Sequence, residues 1–326
     1  MKTILSIDGG GVRALISAVV AQRLERYLAE ISGNPDSRLC DFFDLFAGTS
    51  AGGILAAAYL CPEKDGRPRS ASEITEIFAG MSKRVFRRSP LRQGLLRPKY
   101  SSSALKKTLY GLFGDVKFSE LGGELMLTAF DMEHGRCFFF NTHSASLSER
   151  RDYRVADAAL ATSAAPVYFP PASITSVDDT HKLLADGGLY ANNPAVCAYV
   201  EAHKLYGSEP LLFLSLGNIR SSVSLEGPPG GYGLFKWAYS LLDSMFCAQS
   251  QAVDYQLRHL FKGSDNYLRI DIDDEPRIGL DHADSDSIAG LIKSGERLCD
   301  SNDGRLRGFA RCAVALKTGA AYTKTR

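Results

Sequence analysis

The chain has 326 residues, 38 of them basic and 37 acidic for a net charge of +1, and 45% of its residues are hydrophobic. That balance excludes a disordered chain, and it supplies no global field for holding a nucleic-acid polymer. Seven cysteines, at 40, 61, 137, 197, 247, 299 and 312, form no C-x-x-C pair. Their scatter speaks against a zinc site or a disulfide framework and for a reducing cytoplasm.

In chain order, "TILSI" (3–7) predicts a strand ending in a glycine cluster, and "VRALISAVVAQRLERYLAE" (12–30) a helix by its periodicity. The apolar run before Asp8 is too short for a signal-peptide core. Strand "FFDLFA" (42–47) and helix "AGGILAAAYL" (51–60) follow. Residues 45–62 carry no charge, but glycines, Thr49, Ser50 and Pro62 break the run, so it reads as strand, turn and helix rather than a membrane span. Strands are expected at 124–131 and 136–141 around the turn "MEHG", and a helix at 153–166 stopped by Pro166. Next come a strand at 181–186, a helix at 194–207, a buried strand at 210–217 and a long amphipathic helix over 233–261. A strand at 266–272 and a C-terminal helix complete an α/β architecture with a largely parallel sheet. Residues 83–99, rich in arginine, and 217–233, rich in Gly, Pro and Ser, read as surface loops or a mobile cap.

Three glycine-containing turns carry the chemistry. In "SIDGGGVRAL", Gly9, Gly10 and Gly11 between a strand and a helix cluster backbone N–H groups into an anion-binding nest. The same glycines with Ala14 also satisfy the dinucleotide fingerprint of an oxidoreductase, although the acidic residue expected at the end of the second strand is replaced by a serine turn. Gly48-Thr49-Ser50-Ala51-Gly52 matches the nucleophile elbow, in which Gly48 and Gly52 let the backbone turn sharply and lift Ser50 out of the sheet. A serine nucleophile needs a base. His203, His259 and His282 lie on helical or featureless stretches, whereas Asp186, in "LLADGGLYANNP", ends an apolar strand before two glycines. The three turns each follow a strand, so they are expected to converge at the carboxyl edge of one sheet.

Together "DGGGVR", "GTSAGG" and "DGG" resemble the diagnostic blocks of the patatin-like phospholipase family, as do "ATSAAPVYFPP" (161–171) and "NNP" (192–194). The resemblance covers residues 4–217 and departs at Ala14, where the family has glycine; residues 218–326 complete what is expected to be one domain, 1–326, with a three-layer α/β/α fold. It implies a Ser50–Asp186 dyad acting on phospholipid or lysophospholipid esters. Gly9, Gly10 and Gly11 would be oxyanion donors, and Arg13 would hold their loop. It implies no cofactor, and no metal-ligand spacing appears. Arg84, Arg87, Arg88, Arg92 and Arg97, interleaved with apolar residues, suit anionic headgroups or a phosphate-rich regulator. The expected setting is cytoplasmic, acting peripherally at a membrane. The resemblance leaves room for a cyclic dinucleotide activator, as in effectors of antiphage defence, and for a homodimer.

Overall fold

A computed structural model of the chain describes residues 1–63, 66–87, 97–219, 234–272 and 278–319, with side chains left aside at 234–240 and 242. β1 (Lys2–Ile7) passes through the glycine loop and a 3-10 turn into α1 (Ala14–Ser32). β2 (Leu45–Gly48) leads straight into α2 (Ser50–Ala58), and α3 (Ala71–Val85) and α4 (Ser102–Phe113) follow. The hairpin of β3 (Glu124–Asp131) and β4 (Arg136–Asn141) precedes α5 (Thr142–Leu147) and α6 (Val155–Thr162). Then come β5 (Ala172–Thr175), β6 (His181–Asp186), α7 (Gly188–Ala191) and α8 (Ala195–Tyr206). β7 (Leu211–Ile219), α9 (Leu234–Leu260), β8 (Tyr267–Ile272), α10 (Ser285–Ser301) and α11 (Asp303–Thr318) close the series.

The strands lie in the order β5-β6-β3-β2-β1-β7-β8, with β4 also paired to β3. Pairing is parallel from β3 through β2, β1 and β7 to β8, and antiparallel where β4, β5 and β6 join. Alternate residues of the central strands enter two different cores, because successive side chains point to opposite faces. Leu5, Phe46, Leu127 and Leu214 pack with α1, α2, α3, α10 and α11. Ile4, Leu45, Ala47, Met126 and Phe213 pack with α8 and α9. A sheet buried on both faces explains why these strands read as continuous apolar runs. This is the expected three-layer α/β/α arrangement with a mostly parallel sheet.

From β1 the chain builds β2 and β3 on one side and later β7 and β8 on the other. The carboxyl end of β1 is therefore a topological switch point, where α/β sheets open a crevice for ligands. Among the described residues no helix is long and apolar enough to cross a membrane. Five elements were not anticipated: α3, α4, α5, β5 and α7. The C-terminal helix is two helices broken at Asn302. Residues 83–85 belong to α3 rather than to a basic loop, and 217–219 extend β7.

Candidate active site

The elbow is enforced by backbone crowding. A Cβ on Gly48 would lie 2.5 Å from the carbonyl oxygen of Gly52, and one on Gly52 would lie 2.4 Å from the carbonyl oxygens of Ile7 and Asp8. Between them Ser50 takes φ +55, a left-handed conformation that an L-residue holds only when its surroundings over-determine it. Thr49 supplies part of that constraint, its Oγ1 bonding the Ala191 carbonyl at 2.6 Å and the Thr128 hydroxyl at 2.7 Å. The Ser50 amide donates to Thr162 Oγ1 at 2.9 Å, which closes the turn. Gly48→Ala is expected to cost about 2–3 kcal/mol by overpacking, read as a fall in the urea midpoint.

Asp186 reaches Ser50 from the opposite direction. β6 runs antiparallel to β3, so the expected convergence at one carboxyl edge of the sheet is corrected: Asp186 ends a strand that runs against the parallel ones. β2 and β6 lie on one side of β3 and meet end to end there. Gly48 pairs with Leu127, and Asp186 pairs with Ala129. The gap between them is filled by Thr128, whose Oγ1 would lie 2.0 Å from a Cβ on Gly187. The Asp186 amide donates to the Ala164 carbonyl at 3.0 Å, and its Oδ1 accepts the Gly188 amide at 2.7 Å. The carboxyl group is 2% exposed, and burial pushes its pKa up to about 7. The hydrogen bond from the Gly188 amide and the nearby Ser50 hydroxyl oppose that rise without cancelling it.

The glycine loop is held from outside. The Gly9 amide donates to the Asn192 carbonyl at 2.8 Å, so it is spent and does not join Gly10 and Gly11 as a free donor. The Gly9 carbonyl accepts from the side-chain amides of Asn192 at 3.3 Å and Asn218 at 3.0 Å. Among the described residues the Gly10 and Gly11 amides have no protein acceptor, and both residues border the cleft beside Ser50. Arg13 is buried; its Nε donates to the Ile278 carbonyl at 2.6 Å and its guanidinium pairs with Asp243 of α9 at 3.2 Å. That arrangement suits the expected role of holding the loop. A pyrophosphate would have to lie against this same loop, but Asn192, Asn218 and the Leu280 carbonyl crowd it where a Cβ on Gly9, Gly10 or Gly11 would project. The dinucleotide reading is therefore set aside.

Beneath the loop is a pair that sequence reading missed. Arg269 of β8 grips both Asp8 oxygens, at 2.8 and 2.6 Å, and also bonds Ser215 and Asp271. Burial raises the Asp8 pKa, and the Arg269 guanidinium pulls against it. No local pattern links residues 8 and 269. Only the pairing of β7 with both β1 and β8 brings them together.

The loop and dyad open into a cleft of about 640 Å³, mouth included, walled by Ile54, Phe78, Met81, Leu105, Phe169 and Phe246. Two of these walls were not foreseen. α3 contributes Phe78 and Met81, and its start was legible: Ser70 and Glu73 form a capping box. α9 lies across the opening, with Asp243, Phe246, Gln249 and Ser250 contacting Arg13, Gly188, Asn192 and Asp8. Among histidines, His259 and His282 are exposed, and His203 is half-buried with Nδ1 on the Gly207 carbonyl at 2.7 Å; none borders the cleft. Arg84, Arg87 and Arg97 are exposed, the first two on either side of the cleft-lining Val85 and Phe86; Arg88 and Arg92 lie outside the described residues. Asp131, Glu133 and His134 bring three potential metal donors together on the β3–β4 turn, but the Asp131 carboxylate is already bonded to His134 and Lys182.

Residues 5–199 match the family profile of the patatin-like phospholipases. Patatin-like protein 2 of Arabidopsis thaliana is 32% identical over 91% of this chain and 83% of its own length. Patatin-like protein 4 of the same plant is 30% identical over 93% of this chain and 84% of its own. The solved structure of VipD from Legionella pneumophila is a remote likeness, with a TM-score of 0.39 and 13% identity over 92% of this chain and 67% of that one. The alignments to the plant proteins take in the region beyond residue 199 that supplies Phe246 and Arg269. The chain belongs to the patatin-like phospholipase family, a family of lipid acyl hydrolases.

Proposed function

We propose that the protein hydrolyses fatty-acyl esters of membrane phospholipids or lysophospholipids through a Ser50–Asp186 dyad. The observation that carries this reading is the buried Asp186 carboxyl group, lining the same apolar cleft as Ser50 and lifted by burial to a pKa of about 7. A carboxylate of ordinary pKa is a poor base for a hydroxyl; one near 7 is matched to neutral pH.

Ser50 Oγ attacks the ester carbonyl while its proton passes to Asp186. The carbonyl oxygen becomes an oxyanion between the Gly10 and Gly11 amides, preorganised donors of a kind that contribute about 3–4 kcal/mol each. Collapse expels the alcohol, which takes the proton back from Asp186, and leaves an acyl-enzyme. Water then gives a proton to Asp186, attacks the acyl carbon and releases the fatty acid, and Ser50 regains its proton. The apolar walls seat the acyl chain and exclude water, which keeps the charges of the dyad and the oxyanion poorly screened.

The test is fatty-acid release from mixed phospholipid vesicles, followed by mass spectrometry, with fluorophosphonate labelling of the purified protein. Ser50→Ala is expected to lose labelling and at least about 1,000-fold in release rate. His203→Ala, His259→Ala and His282→Ala are expected to remain active. A large loss in any of the three would replace the dyad by a triad.

A further inference from the structure

The strand-to-helix turns account for Ser50, Asp186 and the two free amides, but they leave the buried Ser163 hydroxyl in the cleft without a partner among the described residues. Ser163 Oγ is buried, borders the cleft, and makes no hydrogen bond among the described residues. Buried hydroxyls without partners are rare, and an unmade bond is costly when the group is cut off from water. An acyl chain filling the cleft would cut this one off unless the substrate itself supplies an acceptor.

The position of Ser163 identifies which acceptor. α6 ends at Thr162, and that residue and the next two form a clamp around the dyad. Thr162 Oγ1 accepts the Ser50 amide at 2.9 Å, the Ala164 carbonyl accepts the Asp186 amide at 3.0 Å, and Ser163 lies between them. The glycine loop is anchored on other elements altogether, through Asn192, Asn218 and Leu280. Ser163 therefore belongs to the Asp186 wall, not to the oxyanion wall. An ester bound with its carbonyl oxygen at Gly10 and Gly11 must turn its alkoxy oxygen toward Asp186, which returns the proton there.

We propose that the Ser163 hydroxyl donates a hydrogen bond to the alkoxy oxygen of the bound ester and so holds the leaving group of aliphatic-alcohol esters, glycerolipids included, in line with Asp186. No proton leaves Ser163. The bond offsets negative charge on the departing oxygen until Asp186 protonates it. The assignment rests on the dyad reading above. Its signature is selectivity for the leaving group. An alkoxide needs that support far more than a p-nitrophenolate, which leaves without protonation.

The experiment compares a glycerol ester and a p-nitrophenyl ester of one fatty acid in the same mixed micelles, with wild type, Ser163→Ala and Ser163→Cys. Cysteine preserves shape but is a weak donor. Both variants are expected to lose about tenfold or more in kcat/KM on the glycerol ester beyond any loss on the p-nitrophenyl ester. An unchanged ratio of the two rates in active variants would overturn the assignment, and so would a ratio lowered by alanine but kept by cysteine, which would mark a packing role. Failure of the wild type to cleave either ester would instead overturn the hydrolase reading itself.

Discussion

Asp186→Asn is expected to stop turnover and, at alkaline pH, to make the protein more stable. Loss of a general base costs between about 100-fold and 10,000-fold, and asparagine cannot take the Ser50 proton. The stability change has the opposite sign because the Asp186 pKa is raised by burial, from 3.8 to about 7. The folded protein then holds this proton more tightly than the unfolded chain does. The stabilisation that follows is complete below the unfolded pKa and is lost as pH rises through the folded value. Asparagine stays neutral throughout. The gap in unfolding free energy between variant and wild type should widen by about 2–3 kcal/mol from pH 5 to pH 8. Urea titrations at the two pH values measure it. A constant gap would mean that Asp186 is not held protonated by its surroundings. In the wild type the same ionisation should appear as kcat/KM rising with pH through about 7 and levelling above it.

Arg269→Met should be the most damaging change outside the cleft. It leaves the Asp8 carboxylate buried with, among the described residues, only the Ser250 hydroxyl as a side-chain partner. Removing one member of a buried ion pair costs about 3–5 kcal/mol, mostly from stranding the other charge. The double variant Asp8→Asn, Arg269→Met should recover part of that loss, since no charge is then left behind. Thermal and urea unfolding of the three proteins form a double-mutant cycle. Equal losses in the single and double variants would remove the stranded charge as the explanation. Because Asp8 immediately precedes Gly9, the single variant should also lower kcat more than its fold stability alone accounts for.

The layered fold and the two turns that bear Ser50 and Asp186 were legible because their signals are local. A buried strand reads as an apolar run, and an elbow reads as two glycines around a serine. What was not legible depends on distance in sequence. Asp8 and Arg269 meet through β7, and α9 covers the site with residues that look like any amphipathic helix. Gly9 looks like its neighbours in a GGG run, yet its amide is taken by a carbonyl 183 positions away. α3 is a different case, since the Ser70–Glu73 capping box was present in the sequence. The arginines at its end mask a helix whose apolar face, with Phe78 and Met81, walls the cleft. The direction of β6 could not be read at all: an apolar hexamer ending in aspartate looks the same whether it runs parallel or antiparallel.

That direction matters beyond topology. With β2 and β6 abutting along one flank of β3, the separation of their last paired residues is set by two steps of a third strand, about 7 Å of backbone. The Ser50 and Asp186 side chains are thus gauged against β3, which contributes neither, and Thr128 is the shim that occupies the interval. Loop lengths between residues 50 and 186 can drift without altering that gauge, whereas an extra residue inserted within β3 would pull the two groups apart.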